Sequence, residues 1–372
     1  MKVDKLNLVV LGDIHLGAKN TETVHILNNL KDLLFKDGYL KTKDMVIFEG
    51  DVFDRLLNLP DPNVMEIKIW INSFLRICKK YDVLVRVLEG TPSHDWKQPL
   101  LFTKMNEMGE IGADVKYFEH LDIEHIERFG IDILYVPDEW RPQTEDVWLD
   151  VNKLLNKKGL KQVDFSVMHG AFDYQLPSHV PAPTHVPENY LSITKYFVFI
   201  GHVHKHSQYK KIIAAGSFDR LKHSEEETKG FIDVVVRNDE QHKITFMPNK
   251  NAKVYKTIKC TDKELNETLT FLKDEINKLP ERSHVRILAE RNHPILVNLE
   301  ELRFTFPTIS FTTKKDESKE SSGESIIDLK EDYQPINITP KNIEELILER
   351  MINKDLDKQF INESKTILSS LI

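Results

Sequence analysis

The chain has 372 residues, 40% hydrophobic and 30% charged, with a net charge of −8. That length exceeds one ordinary domain and leads us to expect two or three, with enough apolar material for buried cores. The acidic balance argues against coating nucleic acid by charge alone, though not against a local basic groove, and the two distant cysteines, Cys78 and Cys260, argue against a disulfide framework or a thiolate zinc site.

Met1-Lys2-Val3-Asp4-Lys5 leads straight into a strand, and no apolar run is long enough for a signal peptide or membrane span. A reducing, cytoplasmic setting is expected. Strands fit Leu6–Leu11, Met45–Phe48 and Val83–Leu88. Helices fit Glu22–Phe35, with Ile26, Leu27, Leu30, Leu33 and Leu34 on one face, and Asn63–Lys79. This order implies a βαβ sheet of the α/β class. From Val115 the strands crowd: Val115–Phe118, Ile123–Ile126 and Ile131–Val136 leave almost no room for helices. A second, more antiparallel sheet is expected to begin there. A helix at Glu145–Asn156 precedes the strand Phe165–Met168, and Tyr196–Ile200 is a further strand. Between them, Leu176–Tyr190 holds four prolines and reads as an exposed loop, with His179 and His185 as solvent-facing loop histidines.

Near residue 240 the character changes. Strands at Lys243–Met247, Val254–Ile258, Val285–Ala289 and Thr308–Thr312, with a helix at Asp262–Leu279, make a small αβ cap. Residues 314–335 lose their apolar content and read as a flexible linker. In 336–372, Thr339-Pro340 offers a helix start, and Ile343, Leu346, Ile347 and Met351, then Leu356, Phe360 and Ile361, suggest two short amphipathic helices. Their apolar faces suit a partner protein's surface. The expected division is a main domain at 1–238, the cap at 239–313, the linker and the terminal helical segment.

The chemistry gathers at strand ends. Gly12 closes the first strand and is followed by Asp13 and His15, which point the same way on an extended chain. Gly50-Asp51, His169 after Val167-Met168, and Gly201-His202-Val203-His204 likewise follow apolar strands. In open α/β sheets the carboxyl ends of strands share one rim, where ligands bind. Mixed carboxylate and imidazole donors without thiolates suit manganese, iron or zinc better than calcium. Two ions roughly 3.5–4 Å apart can clamp a phosphodiester and activate water. Asp51 is the natural bridge between them. Each motif alone is weak; together, with His94, they indicate a dinuclear metal-dependent phosphoesterase.

Asp13-x-His15, Gly50-Asp51-x-x-Asp54, the turn Gly90-Thr91-Pro92-Ser93-His94-Asp95, Met168-His169-Gly170 and Gly201-His202-x-His204 resemble, in order and spacing, the calcineurin-like metallophosphoesterases. Gly216-Ser217-x-x-Arg220, Ser224-Glu225 and Lys229-Gly230 are similar to one branch, the SbcD-type DNA double-strand-break repair nucleases, whose partner is an SbcC-type coiled-coil ABC ATPase. The resemblance covers about residues 5–235 by motif. It implies a sandwich of two mixed β-sheets flanked by helices, with the cap contacting DNA and the terminal helices clasping the ATPase. It assigns one ion to Asp13, His15, Asp51 and His204, and the other to Asp51, His169, His202 and a residue of the Gly90–Asp95 turn. The family reads Gly-Asn-His in that turn; here Ser93 precedes His94 and is expected in the asparagine's place. His94 is the implied general acid, with Asp54 orienting it. Arg220 and Lys205 are the expected phosphate contacts, whereas Lys222, Lys210 and Lys211 read as solvated, and Asp95 reads equally well as a local turn cap. Manganese is the preferred metal, with magnesium, iron or zinc as alternatives. The resemblance further implies a homodimer in a bacterial cytoplasm, or a phage protein acting there, that trims duplex ends 3′-to-5′ and cuts single strands or hairpins. Two rival readings are a stand-alone small-molecule phosphodiesterase and a non-catalytic DNA-end-binding scaffold whose site has decayed at Ser93.

Overall fold

The structure is a computed structural model and describes residues 2–58, 60–138, 144–176, 182–238, 241–260 and 264–316. The strands β1 (Lys5–Leu11), β2 (Met45–Phe48), β3 (Leu84–Leu88) and β4 (Val115–Phe118) build the first sheet. The second holds β5 (Asp122–Ile126), β6 (Ile131–Val136), β7 (Val163–His169), β8 (Thr194–Gly201), β9 (Ser207–Tyr209) and β10 (Ile212–Ala214). The chain then returns to the first sheet through β11 (Gly230–Arg237) and β12 (Lys243–Pro248), giving the orders β12-β11-β1-β2-β3-β4 and β5-β6-β7-β8-β10-β9. Both sheets are mixed.

Alternation along each strand explains the layering. Leu8 and Val10 of β1 and Ile47 of β2 meet Ile133, Phe165, Val167 and Phe199 of the second sheet in a core between the sheets. Val9, Leu11, Val46 and Phe48 point the other way. They pack under Ile26, Leu27 and Leu30 of α1 (Thr23–Leu34) and Trp70, Ile71 and Phe74 of α2 (Pro62–Tyr81). The second sheet's outer face, with Leu134, Met168 and Val198, is covered by Val151 and Leu155 of the helix Thr144–Lys158. The architecture is an α/β sandwich of two mixed sheets flanked by helices, as expected.

Several expectations need correction. β4 pairs parallel with β3 in the first sheet rather than opening the second. The helix Leu101–Met108, not foreseen from the sequence, supplies the crossover that parallel pairing requires. The second sheet is not the more antiparallel one, because β6-β7, β7-β8 and β8-β10 are all parallel. The strand Lys243–Pro248 pairs antiparallel with β11, so it completes the first sheet instead of belonging to the cap. His185 is buried, not solvent-facing: Pro187 starts a short helix to Ile193 that draws the ring against Phe172 and Tyr190. His179, most of the linker and the terminal helical segment lie outside the described residues.

The small αβ unit is a parallel sheet of β13 (Tyr255–Lys259), β14 (His284–Ala289) and β15 (Ser310–Lys315). Leu269, Leu272 and Ile276 of the helix Leu265–Ile276 cover Val285 and Ile287. It is fastened to the sandwich: Tyr255 Oη lies 3.0 Å from Thr21 Oγ1, and Lys253 Nζ donates to Glu22 at 2.7 Å. Residues 1–315 accordingly form one compact unit. No helix among the described residues is long and apolar enough to cross a membrane.

Candidate metal centre

Asp13 and His15 follow β1, Asp51 follows β2, Thr91 and His94 follow β3, His169 ends β7, and His202 and His204 follow β8. Glycines admit close approach at this rim, between the two sheets at Gly50 and between neighbouring strands of the first sheet at Gly90. A Cβ at Gly50 would stand 2.3 Å from His169 Nδ1, and one at Gly90 2.1 Å from the Asp51 amide nitrogen. Three overlapping groups bring donor atoms within 4.8 Å of one another: Asp13, His15 and His204; His15, Asp51 and His94; Asp51, His169 and His202.

Backbone strain marks the same residues. Asp13, His15, Asp51 and His202 all have positive φ, at 47°, 54°, 48° and 101°. Each such non-glycine residue costs on the order of 1–3 kcal/mol, and such strain clusters at functional sites. Glycine would relieve it and would carry no donor.

Hydrogen bonds fix the orientation of the rings. Nδ1 of His15 lies 3.1 Å from Asp54 Oδ1, that of His169 2.8 Å from the Glu49 carbonyl, and that of His204 2.8 Å from Glu225 Oε1. Carboxylate and carbonyl oxygens only accept, so each Nδ1 carries the proton and Nε2 turns inward. This outer-partner arrangement is the one that orients metal-bound histidines. The inward atoms have ligand spacing: His15 and His204 Nε2 are 3.0 Å apart, and His169 Nε2 is 3.2 Å from Asp51 Oδ1. Donors sharing one ion at bonds of ~2.1 Å stand roughly 3.0–3.4 Å apart. Asp13 is held by the His202 amide, which donates to its two oxygens at 2.9 and 3.1 Å. Among the described residues, the ion-pair partners of Asp51 are His15, His94 and His169, with no lysine or arginine. The donor set therefore fits divalent ions.

The hydroxyl that faces the second group is that of Thr91, not Ser93. Thr91 Oγ1 lies 3.2 Å from His169 Nε2 and 3.3 Å from His202 Nδ1, whereas Ser93 is exposed and its carbonyl accepts from the Trp96 indole. The two residues separating the site from His94 thus follow the donor instead of preceding it. Asp54 also departs from expectation, since its bond goes to His15 and not to His94. His94 is half-exposed at the rim, with Nδ1 2.9 Å from Asp51 Oδ2. That bond raises its pKa against the opposing effect of burial. Asp95 is no local cap: its oxygens accept from the Phe53 amide at 2.8 Å and the Gly90 amide at 2.7 Å, tying the loop after β2 to the loop after β3.

Arg220, expected as a phosphate contact, is engaged by the chain's own backbone. Its guanidinium donates to the carbonyls of Glu226, Glu227, Ala252 and Lys253, fastening the small unit to the sandwich. Lys205 is exposed beside His204. Sequence reasoning assigned no role to Glu225 and Lys229. Burial alone would raise the Glu225 pKa, but His204 and Lys229 outweigh it and hold the carboxyl at about 2. Lys229, fully buried, donates to the His204 carbonyl at 2.9 Å. At His169, burial opposes protonation, yet the Asp51 carboxylate lifts its pKa to about 10. A cation held by that same nitrogen would displace the proton, so ion uptake here would release it.

No family model matches the chain, and no curated protein matches it. Solved structures do. TT1561 of Thermus thermophilus is similar at 9% identity and a TM-score of 0.38, covering 65% of this chain and 98% of its own. A second crystal structure is similar at 13% identity and a TM-score of 0.39, covering 65% and 99%. At these values neither likeness assigns a family, and function rests on the site.

Proposed function

We propose that the chain is a metal-dependent phosphodiesterase acting on DNA, the nuclease subunit of a repair and recombination assembly that cuts duplex ends 3′-to-5′ and single strands or hairpins. One observation carries this reading: His15, His169 and His204 each hold Nδ1 on an outer acceptor, so their Nε2 atoms converge with two buried carboxylates. Manganese is the metal we favour, since oxygen and imidazole donors dominate; magnesium, iron or zinc remain alternatives.

When bound, a pair of divalent ions offsets phosphate charge and supplies a nucleophile at neutral pH. The chain's own part is positional. Asp13 and Asp51 counter the charge of the ions, and Asp54, Glu49 and Glu225 lock the rings. His94, at the solvent edge with Nδ1 on Asp51, keeps Nε2 for the departing sugar oxygen, to which it gives its proton. Lys205 beside His204 suits a backbone phosphate. The DNA substrate rests on the resemblance of Gly216–Phe231 to the nuclease branch, on the small unit, and on the helical segment expected from the sequence of residues 336–372, none of which a small-molecule hydrolase needs. Against a decayed scaffold stands the Thr91 hydroxyl, which faces His169 and His202 where the family's asparagine is expected.

The test incubates the purified chain with Mn²⁺ and compares cleavage of end-labelled duplex DNA with that of a nitrophenyl phosphodiester. DNA cleavage lost in His94→Ala is the expected result. Ester turnover without DNA cleavage would identify a small-molecule enzyme instead, and DNA binding without turnover a scaffold.

A further inference from the structure

The two halves of the centre are unequally furnished. Asp13 groups with His15 and His204 by donor spacing, and Asp51 lies 3.7 Å from His15 Nε2; among the described residues Asp51 is the one carboxylate so grouped with His169 and His202, while Asp138 lines the pocket beside them. The other oxygen in that second half is the neutral hydroxyl of Thr91.

The setting of Thr91 is unusual for its position. It caps the short helix Pro92–Asp95 with extended backbone (φ −61°, ψ 124°), where a threonine hydroxyl ordinarily accepts from the helix amides. Here the side chain makes no capping bond. Its carbonyl takes the amides of His94 at 2.8 Å and Asp95 at 3.0 Å instead. The hydroxyl is turned into the centre, 3.2 Å from His169 Nε2 and 3.3 Å from both His202 Nδ1 and Asp51 Oδ2. These spacings match donors around one ion, while 3.3 Å is long for a hydrogen bond to a carboxylate. The Thr91 amide donates to Asp51 Oδ1 at 2.6 Å and holds the residue in place.

We propose that the Thr91 hydroxyl is a direct ligand of the ion held by Asp51, His169 and His202, and that this ion is the weaker of the pair, taken up and lost separately from the one beside Asp13. This rests on the metal-dependent reading above. A protonated hydroxyl is a poorer donor than a carboxylate, and one carboxylate offsets less of a divalent charge than two. Loading is therefore stepwise, with the tight half filling first.

Calorimetric titration of the full chain with Mn²⁺, followed by electron paramagnetic resonance, tests this without reference to activity. The wild type takes two ions with affinities at least about tenfold apart, and a spin-coupled pair forms only after the second. In Thr91→Val, which keeps the shape and removes the oxygen, the tight ion is unchanged and the weak one loses at least about tenfold. Thr91→Ser retains both ions, and Thr91→Asn, with a better oxygen donor, tightens the second. Unchanged affinities in Thr91→Val, or equal loss at both ions, overturns the assignment. A wild type that takes up no Mn²⁺ overturns the metal-dependent reading itself, and this inference with it.

Discussion

Glu225→Gln separates an orienting role from a merely structural one. Glu225 Oε1 accepts from His204 Nδ1 at 2.8 Å, while Oε2 accepts from the Leu221 amide at 3.0 Å and lies 3.6 Å from Lys229 Nζ. Glutamine has the same shape but only one accepting oxygen. If that oxygen serves His204, the amide NH₂ faces the Leu221 N–H and the Lys229 ammonium, donor against donor. Loss of a buried charge-assisted bond costs about 1.5–3 kcal/mol, partly recovered by the neutral bond that replaces it. We expect stability to fall by about 2 kcal/mol in urea unfolding without ions. Lys229 keeps bonds to the His204 carbonyl and to Glu227, so the loop survives. Turning the amide oxygen toward Leu221 and Lys229 relieves that clash, and the ring of His204 then loses the acceptor that fixes its tautomer. Calorimetry should then show the tighter Mn²⁺ weakened by ~10–100-fold, about 1.4–2.7 kcal/mol. Lys222→Ala is the control, since its exposed amine stands 3.9 Å from Oε1 and should change neither quantity. A variant that loses stability but binds the tight ion within about twofold of the wild type would refute the orienting role.

Three further outcomes follow from other parts of the chain. Burial lowers the His185 pKa from 6.5 to about 4, with Glu145 opposing. The unfolded chain therefore binds the proton more readily, and the stability tied to the neutral ring is complete above pH 6.5 and lost as pH falls toward 4. Between about pH 7 and pH 5 the loss is ~2 kcal/mol, and the urea midpoint should drop less in His185→Phe; equal drops would count against it. If the chain forms the homodimer that the family resemblance implies, Met65 and Ile69, exposed by 63% and 48% and four residues apart on α2, are the apolar pair we expect at its contact. Ile69→Glu should give a monomer by light scattering, and a persisting dimer would exclude that face. Deleting residues 333–372 should abolish co-purification with an SbcC-type ATPase, and unchanged recovery would exclude the tail as its binding segment.

The fold was legible wherever period and length agreed. Met45–Phe48, Val115–Phe118 and Ile131–Val136 occupy the residues expected of them because buried strands are short apolar runs with clear stops. Sheet membership was not legible. β4 and β12 went to the wrong sheet because pairing depends on what lies between strands and what passes beside them. The helix Leu101–Met108 buries only Phe102 and so lacks a strong apolar stripe. The burial of His185 is not legible either, because proline signals a loop without saying which face of the molecule the loop covers.

At the centre, residue types were legible and the aim of individual atoms was not. Gly12-Asp13, Gly50-Asp51 and Gly201-His202 share one device: a strand ends, a glycine admits the close approach of a neighbouring strand end (in the same sheet at Gly12, in the opposite sheet at Gly50 and Gly201), and the next side chain turns inward. Gly90-Thr91 follows the same pattern after β3, so position already pointed to Thr91. Ser93 has in its favour only its place next to His94, which weighs adjacency in sequence above adjacency to the strand end. The strand end should prevail, because the sheets fix where the first residue after the glycine stands, whereas two further residues of turn can carry a hydroxyl out to solvent. The same logic separates Asp54 from Asp51. Asp54 follows the bridge between Leu16 and Phe53, a backbone contact that brings its loop against the β1 loop and hence against His15. Arg220 is a different case: four carbonyls compete for its guanidinium, and no spacing in one dimension reveals acceptors as far along the chain as Ala252 and Lys253. Donors placed by strand ends can be read from sequence; partners placed by loop crossings require the coordinates.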